Sequence, residues 1–358
     1  MRPGREHTNG ALAKSTFTTP SRIVGAVKVV EIRRHGRPET LEVHERPEPE
    51  AQPGTLLIAV RAAGVNLADV LARLGMYPDA PKPPCVVGYE VAGEVLEVGA
   101  GVDGYAPGDK VIAGTMFGGY AEQVVVDTRN VMPLPDHMSF EEGAAVPVSY
   151  ATAWAAAVRY GAAEPGDRVL IHAAAGGVGL AAAQILRGRE AEIWGTASAA
   201  KHERLRHEHI AHPVDYRAAD WWRELPSFDL ILDGVGGVVG RRSYRLLRPG
   251  GRLICYGVSS FLGGDTRRMS RVARGLVASP FYSPLGHMRA SKGVIGLNML
   301  ELWKDRGTVQ PWITPLRALM TEGVIRPIIH AAVPFDDAPE AHRMLSERLN
   351  IGKVVLVP

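Results

Sequence analysis

The stretch that decides the fold is His172-Ala173-Ala174-Ala175-Gly176-Gly177-Val178-Gly179. It follows a predicted strand, Arg168 to Ala173, and leads into a predicted helix, Gly177 to Arg187. A strand, a glycine turn and a helix in this order are the context of a dinucleotide-binding fingerprint, because the glycines let the backbone approach a pyrophosphate at the helix N-terminus. Ala174 takes the first glycine position of the usual G-x-G-x-x-G spacing. We predict cofactor contacts at Gly176, Gly177 and Val178.

A glycine turn on its own can also simply join a strand to a helix. The segments after it favour the binding interpretation, because strand and helix patterns continue to alternate and so predict a doubly wound parallel sheet. The predicted strands are Glu192 to Ala197, Asp229 to Asp233 and Gly251 to Gly257. Ligands bind at the carboxyl ends of such strands. Gly234 and Gly257 lie at these ends and are predicted to line the same crevice.

The end of the second strand of this sheet indicates which cofactor binds. An NAD enzyme places an acidic residue there to bind the ribose 2′-hydroxyl. This chain instead has Ser198, with Lys201 following and Tyr216 after the next strand. A hydroxyl and an ammonium group favour a 2′-phosphate, which a carboxylate would repel. Lys201 taken singly is more typical of a solvated helix, but together with the missing acid it predicts NADP(H).

The first part of the chain has a different pattern. Short β-branched runs such as Thr55 to Val65 are separated by glycine and proline, which predicts a mostly antiparallel β domain from Ala26 to about Val148. The pattern changes near Ser139, where a capping box of Ser139 and Glu142 predicts the start of a short helix.

The composition excludes several classes of protein. Forty-one basic and 38 acidic residues give a net charge of +3, so nothing indicates nucleic acid or a membrane surface as a partner. No apolar run is long enough to span a bilayer, so we expect no stable membrane insertion. The two cysteines exclude a four-cysteine zinc lobe and favour a reducing, cytoplasmic location. Residues 1–25 lack the apolar core of a secretion signal; we interpret them as a flexible tail, with a transit peptide as the alternative.

Several motifs resemble the medium-chain dehydrogenase/reductase superfamily over nearly the whole chain, and within it the zinc-independent quinone oxidoreductase (zeta-crystallin-like) family. The glycine turn is the most specific of them. Residues 195–203 and 212–216 look most like the vesicle amine transport protein branch of that family. The other matching segments are Ala62 to Asp69, Gly88 to Gly93, Gly118 to Glu122, Leu247 to Arg252 and Gly352 to Val355.

The resemblance implies an α/β fold, in which a Rossmann domain (149–289) is inserted into a GroES-like β-barrel domain built from 26–148 and 290–358. The active site would be the cleft between the two domains, and the protein would form a homodimer. The resemblance also implies a set of residues near the cofactor: Thr152, Gly177, Val178, Ser198, Lys201, Tyr216, Gly257, Val258, Asn298 and Lys353.

We predict no metal. Zinc alcohol dehydrogenases of the superfamily have a cysteine and a histidine where this chain has Asn66 and Tyr89, and neither residue is a usual zinc ligand. Without zinc, hydrogen-bond donors must polarise the hydride acceptor. Asn66 can donate to a carbonyl oxygen, Tyr77 can donate a proton or stack, and Arg73 can pair with an anionic oxygen. The alternatives are a turn residue for Asn66 and a packed aromatic ring for Tyr77. Asp69 is interpreted as the cap of a helix from Val70 to Leu74 rather than as a catalytic group.

The leading hypothesis is an NADPH-dependent oxidoreductase that passes hydride to a small-molecule quinone or α,β-unsaturated carbonyl. One departure bears on the acceptor, because the resembling quinone reductases often have a tyrosine where this chain has Leu71. That departure and the basic segment 261–292 motivate one alternative, a low-turnover interaction protein that binds NADPH or lipid. A second alternative is a biosynthetic enoyl-thioester reductase.

Overall fold

The structure is a computed structural model that describes residues 25–261, 277 and 282–358. The strands are β1 (Ala26–Ile32), β2 (Leu41–Pro47), β3 (Thr55–Val65), β4 (Cys85–Val86), β5 (Glu90–Val98), β6 (Lys110–Gly114), β7 (Gln123–Asp127), β8 (Val131–Pro133), β9 (Arg168–Ile171), β10 (Glu192–Ala197), β11 (His212–Asp215), β12 (Phe228–Asp233), β13 (Leu247–Cys255), β14 (Gly293–Gly296), β15 (Ile329–Pro334) and β16 (Lys353–Val357).

The helices follow the same chain order. They are α1 (Leu67–Arg73), α2 (Phe140–Gly143), α3 (Ser149–Trp154), α4 (Gly177–Arg187), α5 (His202–His207), α6 (Val238–Leu246), α7 (Pro284–Ala290), α8 (Met299–Arg306), α9 (Gln310–Ile313), α10 (Leu316–Thr321) and α11 (Ala338–Ser346). Among the described residues, no helix is both long enough and apolar enough to cross a membrane.

A seven-stranded sheet forms the barrel lobe. Its order is β15-β16-β3-β5-β6-β8, with β7 paired to β3, and a second sheet of β2, β1 and β4 packs beside it. Strand β16 pairs antiparallel with β3, so that Val354 lies opposite Val65. Residues from both ends of the described chain therefore build this lobe. The pattern read from the sequence as antiparallel β structure is confirmed here.

A six-stranded parallel sheet forms the Rossmann lobe, in the order β11-β10-β9-β12-β13-β14. The chain order reverses between β9 and β12, which makes this the switch point where ligands bind in doubly wound sheets. The α/β fold class, a Rossmann sheet inserted into a GroES-like barrel, is confirmed. One core joins the two lobes, because Ile112 and Met132 of the barrel belong to the same buried cluster as Val169 and Ile171 of the sheet.

The predicted boundary at residue 290 is wrong. Strand β14 lies beyond it, yet pairs with β13 through Arg252 opposite Gly293 and completes the parallel sheet. The sequence did not reveal this strand because it is four residues long and has glycine at both ends. The predicted tail, residues 1–25, lies outside the described residues except for Gly25. Most of the basic segment 261–292 also lies outside them.

Candidate functional site

A cleft of about 450 Å³ runs between the two lobes. The glycine turn and the carboxyl ends of β10, β12 and β13 form one wall, and the start of α1 and the start of β16 form the other. The lining residues on the second wall include Asn66, Leu67 and Lys353. The cleft therefore lies at the sheet's switch point and draws side chains from both lobes.

The glycine turn has the geometry that its sequence predicts. Helix α4 begins at Gly177, and the Ala174 N–H donates to the Thr196 carbonyl oxygen at 3.0 Å. A Cβ atom on Gly179 would lie 2.6 Å from both the Cα and the carbonyl oxygen of Ala174, so only glycine lets the helix pack this closely on the turn. The turn also contacts the barrel, since the Gly352 N–H donates to the Ala175 carbonyl oxygen at 2.8 Å.

Beside the glycine turn, on the barrel side of the cleft, three buried polar side chains form a triad of Asn66, Glu90 and Lys353. A Cβ atom on Gly177 would lie 3.6 Å from Lys353 Cδ. The Lys353 Nζ donates to Asn66 Oδ1 at 2.6 Å and to Glu90 Oε1 at 2.5 Å. The Asn66 Nδ2 donates to the same Glu90 oxygen at 2.8 Å. The second Glu90 oxygen accepts from the Val148 N–H at 2.6 Å. An ammonium group has three donors, so Lys353 keeps one N–H beyond these two bonds to offer to a ligand in the cleft.

The triad changes the role expected of Asn66. Its side-chain amide donates to Glu90 and, at 3.4 Å, to the Gly64 carbonyl oxygen, so both amide hydrogens are directed into the barrel. The cationic donor beside Asn66 is Lys353, which lines the cleft and is 4% exposed. Sequence reasoning placed Lys353 near the cofactor but missed Glu90 altogether. The signal available was an acidic residue at the start of β5, directly before the apolar residues Val91 and Ala92, because a buried charge requires a partner.

The residues predicted to select the cofactor line the opposite end of the cleft. Ser198, Lys201 and Tyr216 are all among its walls. The Lys201 Nζ donates to the carbonyl oxygens of Arg348 at 2.8 Å and Asn350 at 2.6 Å. Burial, together with the charges of Arg217 and Arg348, lowers the pKa of Lys201. Lys201 thus joins the Rossmann lobe to the segment that precedes β16.

Arg348 is a further cation at this end, which sequence reasoning missed. It lines the cleft, and its guanidinium donates to the Ser259 carbonyl oxygen at 3.2 Å. Nothing in the local sequence marks it, since only the tertiary fold brings residue 348 beside residue 201. His172 and Trp221 also line the cleft. Their rings pack edge to face, with the ring centroids 5.7 Å apart.

Most of the other predicted cofactor residues lie in the cleft too. Thr152, Gly176, Gly177, Val178, Gly234 and Gly257 are in its lining. Val258 and Asn298 are not in the lining. Val258 lies between the lining residues Gly257 and Ser259. The Asn298 side chain caps α8 by accepting from the Leu300 N–H at 3.1 Å.

Two of the three predicted catalytic side chains lie outside the cleft lining. Arg73 has no exposed surface, and its guanidinium donates to the Gly36 carbonyl oxygen at 2.6 Å and to His342 Nδ1 at 3.3 Å. It points into the barrel from the last turn of α1, which corrects its prediction as a partner of substrate. Tyr77 packs edge-on against Tyr89 with ring centroids 6.3 Å apart, and burial is the main cause that raises the pKa of Tyr77.

Asp69 caps α1 from inside the helix rather than preceding it. Asn66 occupies the N-cap position, and the Asp69 carboxylate reaches back to accept from the Asn66 N–H at 2.8 Å. The prediction of a capping role is right, but the helix begins three residues earlier than predicted.

The donor set does not fit a catalytic zinc ion. The described residues contain no group of three or more histidine, cysteine or acidic side chains placed to hold a metal. Asn66 is engaged with Glu90 and Lys353, and the ammonium of Lys353 occupies the space beside the Glu90 carboxylate. A dication at that point would face a fixed positive charge.

Two family models match the chain. Residues 52–136 match the alcohol dehydrogenase GroES-like domain, and residues 209–356 match the zinc-binding dehydrogenase domain. A barrel and a Rossmann sheet with a shared cleft define a class of oxidoreductases. The chain belongs to the medium-chain dehydrogenase/reductase superfamily.

Individual relatives narrow this class. The human synaptic vesicle membrane protein VAT-1 homolog is 36% identical over 89% of this chain and 84% of its own length. The CurK enoyl reductase structure matches with a TM-score of 0.81 and 25% identity, covering 92% of this chain and 99% of that one. A mycobacterial protein complexed with NADPH matches with a TM-score of 0.79 and 28% identity, covering 93% of this chain and all of that one.

Proposed function

We propose that this oxidoreductase is an NADPH-dependent, zinc-independent reductase of α,β-unsaturated carbonyls or quinones. The observation that carries the proposal is the Asn66–Glu90–Lys353 triad, which lies on the barrel side of the cleft, beside the glycine turn. A reductase without a metal needs a cationic donor at the position where the acceptor oxygen becomes negative. Lys353 is that donor, and the triad fixes it in place.

The cofactor would lie along the cleft. The backbone at Gly176, Gly177 and Val178 would hold the pyrophosphate at the N-terminus of α4. Ser198, Lys201, Tyr216 and Arg348 would surround a 2′-phosphate at the far end. NADPH, when bound, supplies the hydride. The similarity to a mycobacterial protein in complex with NADPH supports this choice.

The reaction leaves little for the protein to do beyond positioning and charge stabilisation. When hydride adds to the β-carbon of an enone, the electron pair of the C=C bond moves to the carbonyl oxygen. The ammonium of Lys353 stabilises this enolate through its remaining N–H. The buried Glu90 carboxylate balances the lysine charge, so that the ammonium can stay in the cleft without water around it. A solvent proton then reaches the α-carbon.

Purified protein tests this proposal directly. We expect loss of the nicotinamide absorbance when NADPH is mixed with members of a panel of enones and quinones, and equal amounts of reduced product. A panel on which no member oxidises NADPH faster than buffer alone would contradict the proposal.

The choice of cofactor gives a second prediction. Lys201→Ala should weaken NADPH binding about tenfold to a hundredfold, because a charge-assisted hydrogen bond contributes about 1.5–3 kcal/mol, and should change NADH binding much less. Titration by nicotinamide fluorescence measures both. Lys292→Ala is a matched control, since its Nζ also donates to a carbonyl oxygen, that of Tyr244, but does not line the cleft. Equal affinity of the unaltered protein for NADH and NADPH would contradict the assignment.

The similarity to an enoyl reductase favours a second candidate substrate, a carrier-bound enoyl thioester. Its carbonyl oxygen would meet the same lysine. A competition assay separates the two candidate substrates. If the thioester is the substrate, an enoyl thioester on a pantetheine arm should outcompete a free enone of the same chain length.

A further inference from the structure

Behind the triad, four buried polar side chains form a second cluster that the proposed reaction does not use. Asp69, Arg73, Tyr120 and His342 each have no exposed surface. Arg73 and Asp69 belong to α1, His342 to α11, and Tyr120 to the connection between β6 and β7. None of the four lines the cleft.

The hydrogen bonds of this cluster run in one direction and end on Asp69. The Arg73 Nε–H donates to His342 Nδ1 at 3.3 Å. A neutral imidazole that accepts at Nδ1 has its proton on Nε2, which lies 3.4 Å from the Tyr120 hydroxyl oxygen. The Tyr120 hydroxyl in turn donates to Asp69 Oδ2 at 3.0 Å. Each group therefore donates toward the carboxylate.

Asp69 connects this chain of donors to the triad. Its Oδ2 also accepts from the Asn66 N–H at 2.8 Å, and its Oδ1 accepts from the Gly88 N–H at 3.1 Å. Asn66 is a member of the triad, and Gly88 lies two residues before Glu90. One carboxylate thus ties together the two segments that hold Lys353 in the cleft.

We propose that Asp69 is a positioning residue, that its ionised carboxylate fixes the Asn66 and Glu90 segments around Lys353, and that Tyr120 and His342 hold it in that state. The inference rests on the proposed function, because the triad it positions is the one that would stabilise the acceptor. Protonation removes the charge of Asp69 and turns one of its oxygens into a donor, so the charge-assisted bonds from the Asn66 and Gly88 N–H groups weaken and the tie between the two segments loosens.

The surroundings of Asp69 explain why this change falls near neutral pH. Burial raises the pKa of Asp69 to about 7, opposed by the donors from Asn66, Tyr120 and Gly88 and by the charge of Lys353. Burial and the charge of Arg73 hold the pKa of His342 well below its ordinary value, so His342 stays neutral. Among the described residues, the other titratable groups that face the cluster are Tyr77 on the loop after α1, Tyr89 directly before β5, and Glu90 at the start of β5.

The pH dependence of turnover tests the proposal. We expect kcat/KM to fall about tenfold per pH unit below about pH 7, as Asp69 is protonated. Tyr120→Phe removes one donor to the carboxylate, so its acid limb should move to higher pH by about one unit, with activity recovering at alkaline pH. Tyr105→Phe is the matched control, because Tyr105 donates to the Val131 carbonyl oxygen in the same lobe and should leave the profile unchanged. An unshifted acid limb in Tyr120→Phe overturns the proposal, since a merely structural residue lowers activity equally at every pH.

A second measurement does not depend on turnover or on any variant. In the resting protein, the backbone amide resonances of Asn66 and Gly88 should shift together with an apparent pKa near that of Asp69. If neither resonance moves between about pH 5 and about pH 9, the proposal is wrong whatever the kinetics show. If both move and no enone or quinone is reduced at any pH, the positioning geometry stands and the proposed reaction fails.

Discussion

Lys353→Met should lower kcat/KM for enone or quinone reduction by about a hundredfold to a thousandfold, which is the range found when one preorganised donor to a developing oxyanion is removed. The loss should fall mainly on kcat, because the charge on the acceptor oxygen develops only as the hydride arrives. Steady-state kinetics with saturating NADPH measures how the loss divides between kcat and KM. An unchanged kcat with a raised KM would mean that Lys353 binds ground-state substrate or cofactor only.

The same substitution should also destabilise the protein, because it leaves the Glu90 carboxylate buried without its cation. Removing one partner of a buried ion pair costs about 3–5 kcal/mol. Thermal unfolding of Lys353→Met should therefore begin at a lower temperature. The double variant Lys353→Met with Glu90→Gln removes the orphaned charge and should recover much of the stability but none of the activity. Lys292→Met is a control outside the cleft, and it should change neither the unfolding temperature nor the turnover. A double variant with near-normal turnover would remove Lys353 from the mechanism.

Gly179→Ala should abolish most cofactor binding. The added Cβ would lie 2.6–2.7 Å from backbone atoms of Ala173 and Ala174, which cannot move aside as a flexible side chain can. Helix α4 must shift away from the turn, at a cost on the order of 3 kcal/mol. We expect a loss of NADPH affinity of about a hundredfold together with a lower unfolding temperature.

Two glycine variants serve as controls for this result. Gly296→Ala, at the end of β14, meets no atom within 4 Å and should bind cofactor normally. Gly176→Ala has its nearest contact at 3.3 Å, from the Ala173 carbonyl oxygen, so it should fold normally and weaken binding only by crowding the pyrophosphate. If Gly179→Ala binds NADPH as well as Gly296→Ala does, the close packing of α4 on the turn is not what shapes the site.

Much of the fold follows from the sequence because its determinants are local. The strand Thr55–Val65 and the helix Gly177–Arg187 are found within their predicted bounds, and the capping box of Ser139 and Glu142 begins α2. Each depends on side chains a few residues apart. Strand β14 was missed because a glycine-bounded segment of four residues carries too little periodicity to be read.

The site could be predicted only in part, because its polar contacts are distant in sequence. Lys353 and Asn66 are 287 residues apart, and only the pairing of β16 with β3 brings them together. The sequence suggests Arg73 only as a partner for an anionic oxygen of the substrate. Its direction is set by His342, which comes from α11 and is 269 residues away. No local pattern carries that information.

The bond from Gly352 to the glycine turn has a consequence for how the protein reaches its active form. A polypeptide leaving the ribosome can form the parallel sheet well before residues 345–354 exist, but the cleft then lacks one wall. Contacts so remote in sequence form late, because closing a long loop must be completed before they give any stabilisation. Under the proposed function, NADPH would therefore bind only molecules in which these residues have closed the cleft, and by binding them would draw the folding equilibrium forward. We therefore expect cells with ample NADPH to hold a larger fraction of this protein in its native state.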